Sequence, residues 1–324
     1  MGGDTILFQK YYRTIYLIAF VLLAVYSLSI GVQDFSFTAL LNGESSQLTL
    51  AVISRLPRLA SILLTGAMLS VAGMIMQSIT SNKFVSPSTA GTMEWCRFGV
   101  MIAMVLFSQA TTGQKVFIAF IIALLGTMLF MKILQKVKIK DQVMTPLIGM
   151  MLGSVVSSVT TFVAYRLDII QNMSSWLQGS FALILKGNYE LLYLGIPCLI
   201  LSMIYANHFT IAGMGDSFAK NLGLRYEHIL FIGLSLVSIM TSIVVVNVGS
   251  IAFIGLIIPN LLSMIKGDNV KKNVIDCALW GAGFVLICDI FSRIIIYPYE
   301  LPISVVVSVV GSILFLFLIR RKKR

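Results

Sequence analysis

The chain consists mainly of long apolar runs separated by short polar segments. A membrane-spanning helix needs about 20 consecutive, mostly apolar residues, and ten stretches approach that length. Residues 228–265 contain no Asp, Glu, Lys or Arg and are too long for one helix, so we expect Asn247-Val248-Gly249-Ser250 to divide them. The pattern predicts an all-α, polytopic membrane bundle. Its ten runs are 14–33, 59–82, 98–114, 116–134, 142–165, 191–207, two within 228–265, 274–296 and 301–319.

One uncharged segment differs from these runs. Residues 169–185 contain Gln171, Asn172, Ser174 and Gln178, which make the segment too polar to face lipid. We therefore predict a loop or a short helix at the outer surface.

Composition limits the class of protein. Of the 324 residues 58% are hydrophobic and only 11% are charged, with a mean hydropathy of +0.94. Soluble domains carry about 25% charged residues, so soluble enzymes and nucleic-acid-binding domains are excluded. The net charge of +11 arises from cations between apolar runs and not from one basic face, so no nucleic-acid partner is expected. The environment is the lipid bilayer of a bacterial cytoplasmic membrane, and residues 1–324 are expected to form a single transmembrane domain.

The cations also predict an orientation, because Lys and Arg concentrate in cytoplasmic loops. With both termini cytoplasmic, 17 of the 24 cations fall on the inner side. Seven remain outside, and the opposite orientation would invert this bias. The basic end 320–324 directly follows a membrane helix, which is typical of an anchor attracted to anionic lipid.

Several kinds of chemistry have no candidate residues. The four cysteines are scattered without CxxC spacing, and neither histidine has a partner at ligand spacing, so no metal site, disulfide or other cofactor is predicted. No catalytic residue is predicted. The sequence lacks the GxxxxGK[ST] motif that binds ATP phosphates. If ATP powers transport, another subunit must therefore hydrolyse it.

Three arginines are unusual because they belong to the cation-poor outer side. Arg55 and Arg58 flank Pro57 at the predicted start of run 59–82, and Arg293 follows Asp289 by four residues. One interpretation is structural: arginines at helix ends reach for the interface, and Arg293 pairs with Asp289. The other is a ring of guanidinium groups that binds carboxylates of an external partner.

The inner loop 209–227 is a second candidate. It is the longest cytoplasmic loop, and its small residues bracket a short apolar pattern typical of a short helix along the membrane surface. Such an element could dock in a groove of a partner, or it could be a simple connector. Its candidate residues are Gly215, Asp216, Ala219, Leu222 and Gly223.

These features occur together in one known family. The chain resembles the permease subunits of iron–siderophore and vitamin B12 ABC importers, and the matching motifs follow one another in order from residue 55 to 311. They are Arg55-Leu56-Pro57-Arg58, Gly66, Gly73, Gln77, Asn82, Trp176-Leu177-Gln178-Gly179-Ser180, Gly215-Asp216, Ala219, Leu222-Gly223, the stretch 249–259, Gly267-Asp268, Asp289, Arg293, Glu300-Leu301-Pro302-Ile303 and Gly311.

The resemblance implies a type II ABC importer permease with ten helices and these partners: a second permease subunit (identical or paralogous), two ATP-binding cassette ATPases and an extracytoplasmic substrate-binding lipoprotein. It implies that Arg55, Arg58 and Arg293 receive glutamates of the binding protein, and that the 209–227 loop holds the helix coupled to the ATPase. The implied substrate is a ferric siderophore, with haem or cobalamin as alternatives. An ion-driven secondary transporter is the rival from another class. It would need carboxylates at mid-membrane, whereas Glu94 and Asp289 lie near helix ends or beside an arginine.

The chain departs from the family pattern at three places. Asn82-Lys83 stands where Asn-Pro is common, and Pro259-Asn260 stands where Pro-His is common. Residues 89–97 replace a Gly-rich helix start and resemble the subgroup for catecholate-type siderophores such as petrobactin and enterobactin. Within them, Glu94 and Arg97 are an intramembrane pair at i,i+3. The pair is either functional, as such residues commonly are, or a self-neutralising structural pair.

Overall fold

The computed structural model describes residues 3–31, 44–107, 109, 111–137 and 143–322. Lys138, Lys140, Lys323 and Arg324, which contribute to the predicted cation bias, lie outside these ranges, as do the last residues of run 14–33. The described residues form helices and no extended strand. The helices are α1 Gly3–Ser29, α2 Ser45–Leu50, α3 Leu56–Ile79, α4 Thr92–Leu106, α5 Thr112–Lys136, α6 Met144–Arg166, α7 Ile170–Leu177, α8 Gly195–Ala212, α9 Asp216–Asn221, α10 Tyr226–Asn247, α11 Ile254–Lys266, α12 Val270–Ile294 and α13 Ile303–Lys322.

The predicted all-helical, multi-span class is confirmed. Within the described ranges, six helices are long and apolar enough to cross a membrane. Three shorter apolar helices, Thr14–Ser29, Ile254–Lys266 and Ile303–Leu318, coincide with predicted runs. The six longer helices are Ser45–Ile79, Thr112–Lys136, Met144–Arg166, Glu190–Ala212, Tyr226–Asn247 and Val270–Ile294.

The start of the second run was predicted too late. The helix begins at Ser45 and continues for 35 residues to Ile79, through a π-helical turn at Ala51–Arg55. The hydropathy pattern does not indicate this extension, because the first turn is polar and includes Ser46 and Gln47. Pro57 therefore lies well inside a continuous helix, and the π turn before it absorbs the irregularity that a proline without an N–H imposes.

The boundary between runs three and four also differs from the prediction. Helix α4 occupies Thr92–Leu106, so it starts and ends earlier than run 98–114. Helix α5 begins at Thr112 because Thr111 and Gln114 form a capping box. The Thr111 hydroxyl accepts from the Gln114 N–H at 3.3 Å, and the Gln114 carboxamide accepts from the Thr111 N–H at 2.8 Å. Glu94 and Arg97 consequently lie in the first turns of α4.

Two predicted irregularities are present. Helix α10 ends at Asn247, and Gly249 has a φ of +98°, which places the break in the long apolar stretch where it was expected. The polar segment 169–185 contains the short helix α7.

Small residues allow the central helices to approach closely. Gly66 of α3 faces the backbone of Gly281 in α12, and Gly73 faces the backbone of Gly255 in α11. A Cβ at either glycine would overlap these neighbours. Close backbone packing of this kind replaces the hydrophobic driving force that lipid cannot supply. Helices α3, α10, α11 and α12 form most of the core, while α6 is largely exposed.

Candidate functional site

The three predicted arginines come together at one end of the bundle with two carboxylates. Both side-chain oxygens of Glu300 accept from Arg58 Nη1 at 2.9 Å, and Asp289 Oδ1 accepts from Arg58 Nη2 at 2.8 Å. Asp289 Oδ2 lies 2.6 Å from Arg293 Nη2. Asp289 thus bridges two guanidinium groups. We call Arg55, Arg58, Asp289, Arg293 and Glu300 the arginine cluster.

The cluster also fixes the end of α1. Arg293 Nη1 donates to the carbonyl oxygens of Ser27 and Ile30 at 2.9 and 2.8 Å, and Arg55 donates to the Ile30 carbonyl as well. The last carbonyls of a helix have no partner within the helix, and cations near a helix C-terminus are favourable. Two of the three predicted arginines therefore cap a neighbouring helix.

Little of the cluster is exposed. Arg55 is 9% exposed and Arg293 3%, while the Arg58 side chain is 12% exposed and that of Glu300 24%. The guanidinium groups are therefore engaged internally and are not displayed on the surface. Three cations face two carboxylates, which leaves one surplus positive charge. The predicted docking role is not tested by this geometry and stays a prediction.

At the opposite end of the bundle, the predicted short helix is present as α9. Gly215, with a φ of +106°, precedes it, and Gly223, with a φ of +75°, follows it. Ala219 is fully buried, whereas Asp216 and Lys220 form an exposed pair at 2.9 Å. The hydrogen bond from Lys220 to Asp216, together with the charge of that carboxylate, raises the pKa of Lys220.

An exposed apolar stripe lies on and beside this helix. Met214 in the turn before α9, Phe218 within it and Leu222 at its C-cap are 61%, 45% and 56% exposed. Phe218 and Leu222 are four residues apart and share one face of the last turn. The described chain therefore presents a small apolar ridge beside a buried alanine.

Glu94 and Arg97 do not form a direct salt bridge within the described structure. Instead, Arg97 Nε donates to the Ser250 hydroxyl at 2.9 Å. Glu94 Oε2 is buried, and no described residue donates a hydrogen bond to it. The two charged groups are therefore not joined by a direct ion pair.

The two residues line a pair of neighbouring cavities. One, of about 430 Å³, lies between α4, the Gln178–Gly179 turn and the start of α13. The other, of about 260 Å³, lies between α4, α6 and α7. Glu94, Arg97, Leu177 and Gln178 line both.

Irregular backbone forms one wall of the larger cavity. The Ser250 N–H donates to the Leu177 carbonyl, and the Ser180 N–H donates to the Val248 carbonyl, both at 3.0 Å. Phe253 has a φ of +69°, which a non-glycine side chain rarely adopts. Non-helical backbone within a membrane is tolerated where protein covers it or where it lines a polar cavity.

Sequence reasoning missed two partners in these sites. Glu300 was noted only as part of a motif, and its pairing with Arg58 spans 242 positions. Ser250 was noted only as part of a helix break and of the motif 249–259, and its contact with Arg97 spans 153 positions. No local pattern could indicate either contact.

Two departures from the family pattern meet at the inner end. Asn260 Nδ2 donates to the Lys83 carbonyl at 2.7 Å, and Lys83 Nζ lies 2.9 Å from Asp268. The residues that replace the common proline and histidine are therefore direct neighbours.

An all-helical membrane bundle with charged side chains along clefts between its helices is typical of transport proteins. The chain belongs to the FecCD transport family, which it matches over residues 17–321. It is 51% identical to the petrobactin import system permease protein YclN of Bacillus subtilis, over 94% of this chain and 97% of that protein. It is 38% identical to the petrobactin import system permease protein FatD of Bacillus anthracis, over 95% of this chain and 90% of that protein.

A solved structure agrees with this family. It is described as an inward-facing conformation of a metal-chelate type ABC transporter, and it matches with a TM-score of 0.79 and 25% identity. The match covers 94% of this chain and 97% of that one. The predicted family of membrane transport permeases, as opposed to enzymes, is confirmed. The ion-driven secondary transporter is excluded because the relatives are ABC permeases.

Proposed function

We propose that this chain is the permease subunit of an ABC importer that carries a ferric siderophore across the cytoplasmic membrane, with ferric petrobactin as the first candidate. The observation that carries the proposal is the 51% identity, over nearly the full length, to a permease named for petrobactin import. The unusual segment around Glu94 and Arg97 agrees with a substrate of the catecholate type.

In this proposal residues 1–324 form one transmembrane domain of ten spans with both termini in the cytoplasm. Two permease subunits enclose the path, two ATPases bind on the inner side, and a binding lipoprotein delivers the chelate outside. Six long and three shorter apolar helices support this layout, and α4 would supply the tenth span.

The exposed stripe of Met214, Phe218 and Leu222 supports a coupling role for α9. An apolar ridge on a short helix suits a groove in a partner, and the internally packed Ala219 would transmit motion of α9 to the bundle.

The surplus positive charge of the arginine cluster supports docking of the binding protein. Because Arg58 already binds Glu300, an incoming carboxylate would have to replace Glu300, which has the more exposed side chain of the pair. Docking would then proceed by exchange of one carboxylate for another, and the planar guanidinium group suits both.

The substrate is tested by uptake of radiolabelled iron in a strain that lacks its own importers and expresses the chain with its partners. Ferric petrobactin, ferric enterobactin and haem are supplied with radiolabelled iron and cobalamin with radiolabelled cobalt, and the four are compared in parallel. We expect iron uptake from ferric petrobactin and no uptake of haem or cobalamin. Uptake of haem or cobalamin alone would overturn the proposal.

Docking is tested separately by titrating the binding protein into the reconstituted complex at low and high salt. Arg58→Gln should weaken binding, whereas Glu300→Gln should strengthen it because the competing carboxylate is removed. Arg166→Gln, at the exposed end of α6, is the control. If Glu300→Gln leaves the affinity and its salt dependence unchanged, docking by exchange is wrong.

A further inference from the structure

We propose that Glu94 and Arg97 form a binding station for the anionic oxygens and hydrogen-bond donors of the ferric chelate inside the permease. This inference rests on the proposed function and assigns it a contact site within the membrane.

The first step is the incomplete engagement of Arg97. Its Nε donates to Ser250, but its two terminal nitrogens donate to no other described residue. A guanidinium group carries five N–H donors in a planar fork. Four of these donors therefore remain for a ligand or for water in the cavities that Arg97 lines.

The second step is the position of Glu94. Although it lies in the first turn of α4, it packs against Gly153, near the middle of the 23-residue helix α6. The Glu94 carboxylate oxygen lies 3.4 Å from the point that a Cβ at Gly153 would occupy. A buried carboxylate oxygen without a hydrogen bond is costly, and intramembrane charges usually mark a substrate pathway.

The third step is the lining of the larger cavity. Besides the charged pair, it presents the hydroxyl-bearing residues Ser88, Ser250, Ser304 and Ser308 and the amide of Gln178. Its volume of about 430 Å³ falls within the usual range for small-molecule sites, about 300–1,000 Å³. Such a wall offers many weak hydrogen bonds, which suit a ligand that must bind and then leave.

The chemistry matches a ferric chelate. Fe³⁺ is held by deprotonated oxygens, and a guanidinium group recognises such oxygens in a planar, bidentate manner. Glu94 would accept from O–H or N–H donors of the same ligand. The pair would thus bind both the anionic oxygens and the hydrogen-bond donors of the chelate.

The charge in the cavity can be measured without transport. The four native cysteines are buried, so Ser308→Cys supplies one accessible thiol for anionic and cationic methanethiosulfonate reagents. Adding Arg97→Gln should lower the ratio of anionic to cationic labelling rates by about fivefold or more, since one nearby charge is lost. Glu94→Gln should raise the ratio, Arg97→Lys should preserve it, and Arg166→Gln is the matched control.

The ligand contact is tested in the same background. Loaded binding protein with ATP should slow labelling of the Ser308→Cys protein, because the chelate occupies the cavity. Arg97→Gln should reduce uptake about tenfold at an equal membrane level, as expected for loss of a charge-assisted hydrogen bond. If the loaded binding protein does not slow labelling, or if Arg97→Gln imports iron normally, the proposed binding station is wrong. Failure of the parent protein to import any ferric siderophore would instead overturn the proposed function.

Discussion

The Asp289 carboxylate holds two guanidinium groups at once. Its side chain is only 1% exposed, and its two oxygens lie 2.8 and 2.6 Å from Arg58 and Arg293. Buried ion pairs contribute little net stability, but removal of one partner leaves a costly uncompensated charge. Asp289 is therefore the residue on which the order of the arginine cluster depends.

Asp289→Asn should destabilise the protein by about 3 kcal/mol or more, because Arg58 and Arg293 would share only Glu300 as a counter-ion. Thermal unfolding of the purified protein in detergent measures this loss. Asp216→Asn, which breaks an exposed pair with Lys220, should leave the unfolding temperature nearly unchanged, because exposed ion pairs contribute little to stability. Equal unfolding temperatures for the two variants would contradict a structural role for Asp289.

At the scale of helices, packing depends on positions where two backbones touch. Gly73 and Gly255 bring α3 and α11 together, and α11 directly follows the irregular wall of the larger cavity.

Gly73→Ala should lower stability by about 1–3 kcal/mol, the usual cost of overpacking, since its Cβ would overlap the Gly255 backbone. Gly113→Ala in α5 is a matched control because nothing lies within 4 Å of its added Cβ. Both variants are compared by thermal unfolding in detergent. A Gly73→Ala protein as stable as the Gly113→Ala protein would show that α3 and α11 can move apart without a loss of stability.

Helix α9 permits a test of coupling. A bulky substitution at Gly223 would strain the backbone, since its φ is +75°, so its effect would not report on docking alone. Phe218→Ala with Leu222→Ala removes the exposed contact without this strain. We expect iron uptake to fall about tenfold or more while ATP hydrolysis continues, because apolar anchors dominate interfaces.

The control for this experiment is Lys220→Ala, on the same helix but outside the apolar stripe. It should transport normally. Normal iron uptake by the double variant would show that the 209–227 loop is a simple connector.

At the scale of the whole molecule, the polar groups separate to two ends. The arginine cluster and the end of α1 mark one end, and α9 with the Lys83–Asp268 pair marks the other. The neighbourhood of Glu94 lies between them, beside the middle of α6. This order matches the proposed sequence of docking, passage and coupling.

The orientation of these ends is a prediction from the cation bias. The C-terminus should be cytoplasmic, because 17 of the 24 cations are assigned to that side. A reporter enzyme that is active only in the cytoplasm should therefore be active when it is fused to the C-terminus. A second fusion after Arg166, which is predicted to lie outside, provides the opposite control. An inactive C-terminal fusion together with an active fusion after Arg166 would show that the predicted topology is inverted.

Hydropathy was a good guide to the helices but a poor guide to their ends. It located the break at Gly249 and the short helices α7 and α9, because glycines and polar clusters mark them locally. It missed the start at Ser45, whose first turn is polar, and it placed the end of α4 eight residues too late. Hydropathy alone does not distinguish a polar helix end from a loop, although the Thr111–Gln114 capping box is a sequence signal for the start of α5.

The sequence by itself determined the class of protein, the positions of most helices and the residues worth attention, since these depend on composition and local periodicity. Only the tertiary structure decided what those residues do to one another. It turned Arg58 inward onto Asp289, which the sequence had paired only with Arg293, and it joined Arg97 to Ser250 instead of Glu94. It also placed Glu94, at the end of one helix, beside the middle of another. The physical reason is that partners 153 and 231 positions apart are brought together by helix packing, which no local pattern records.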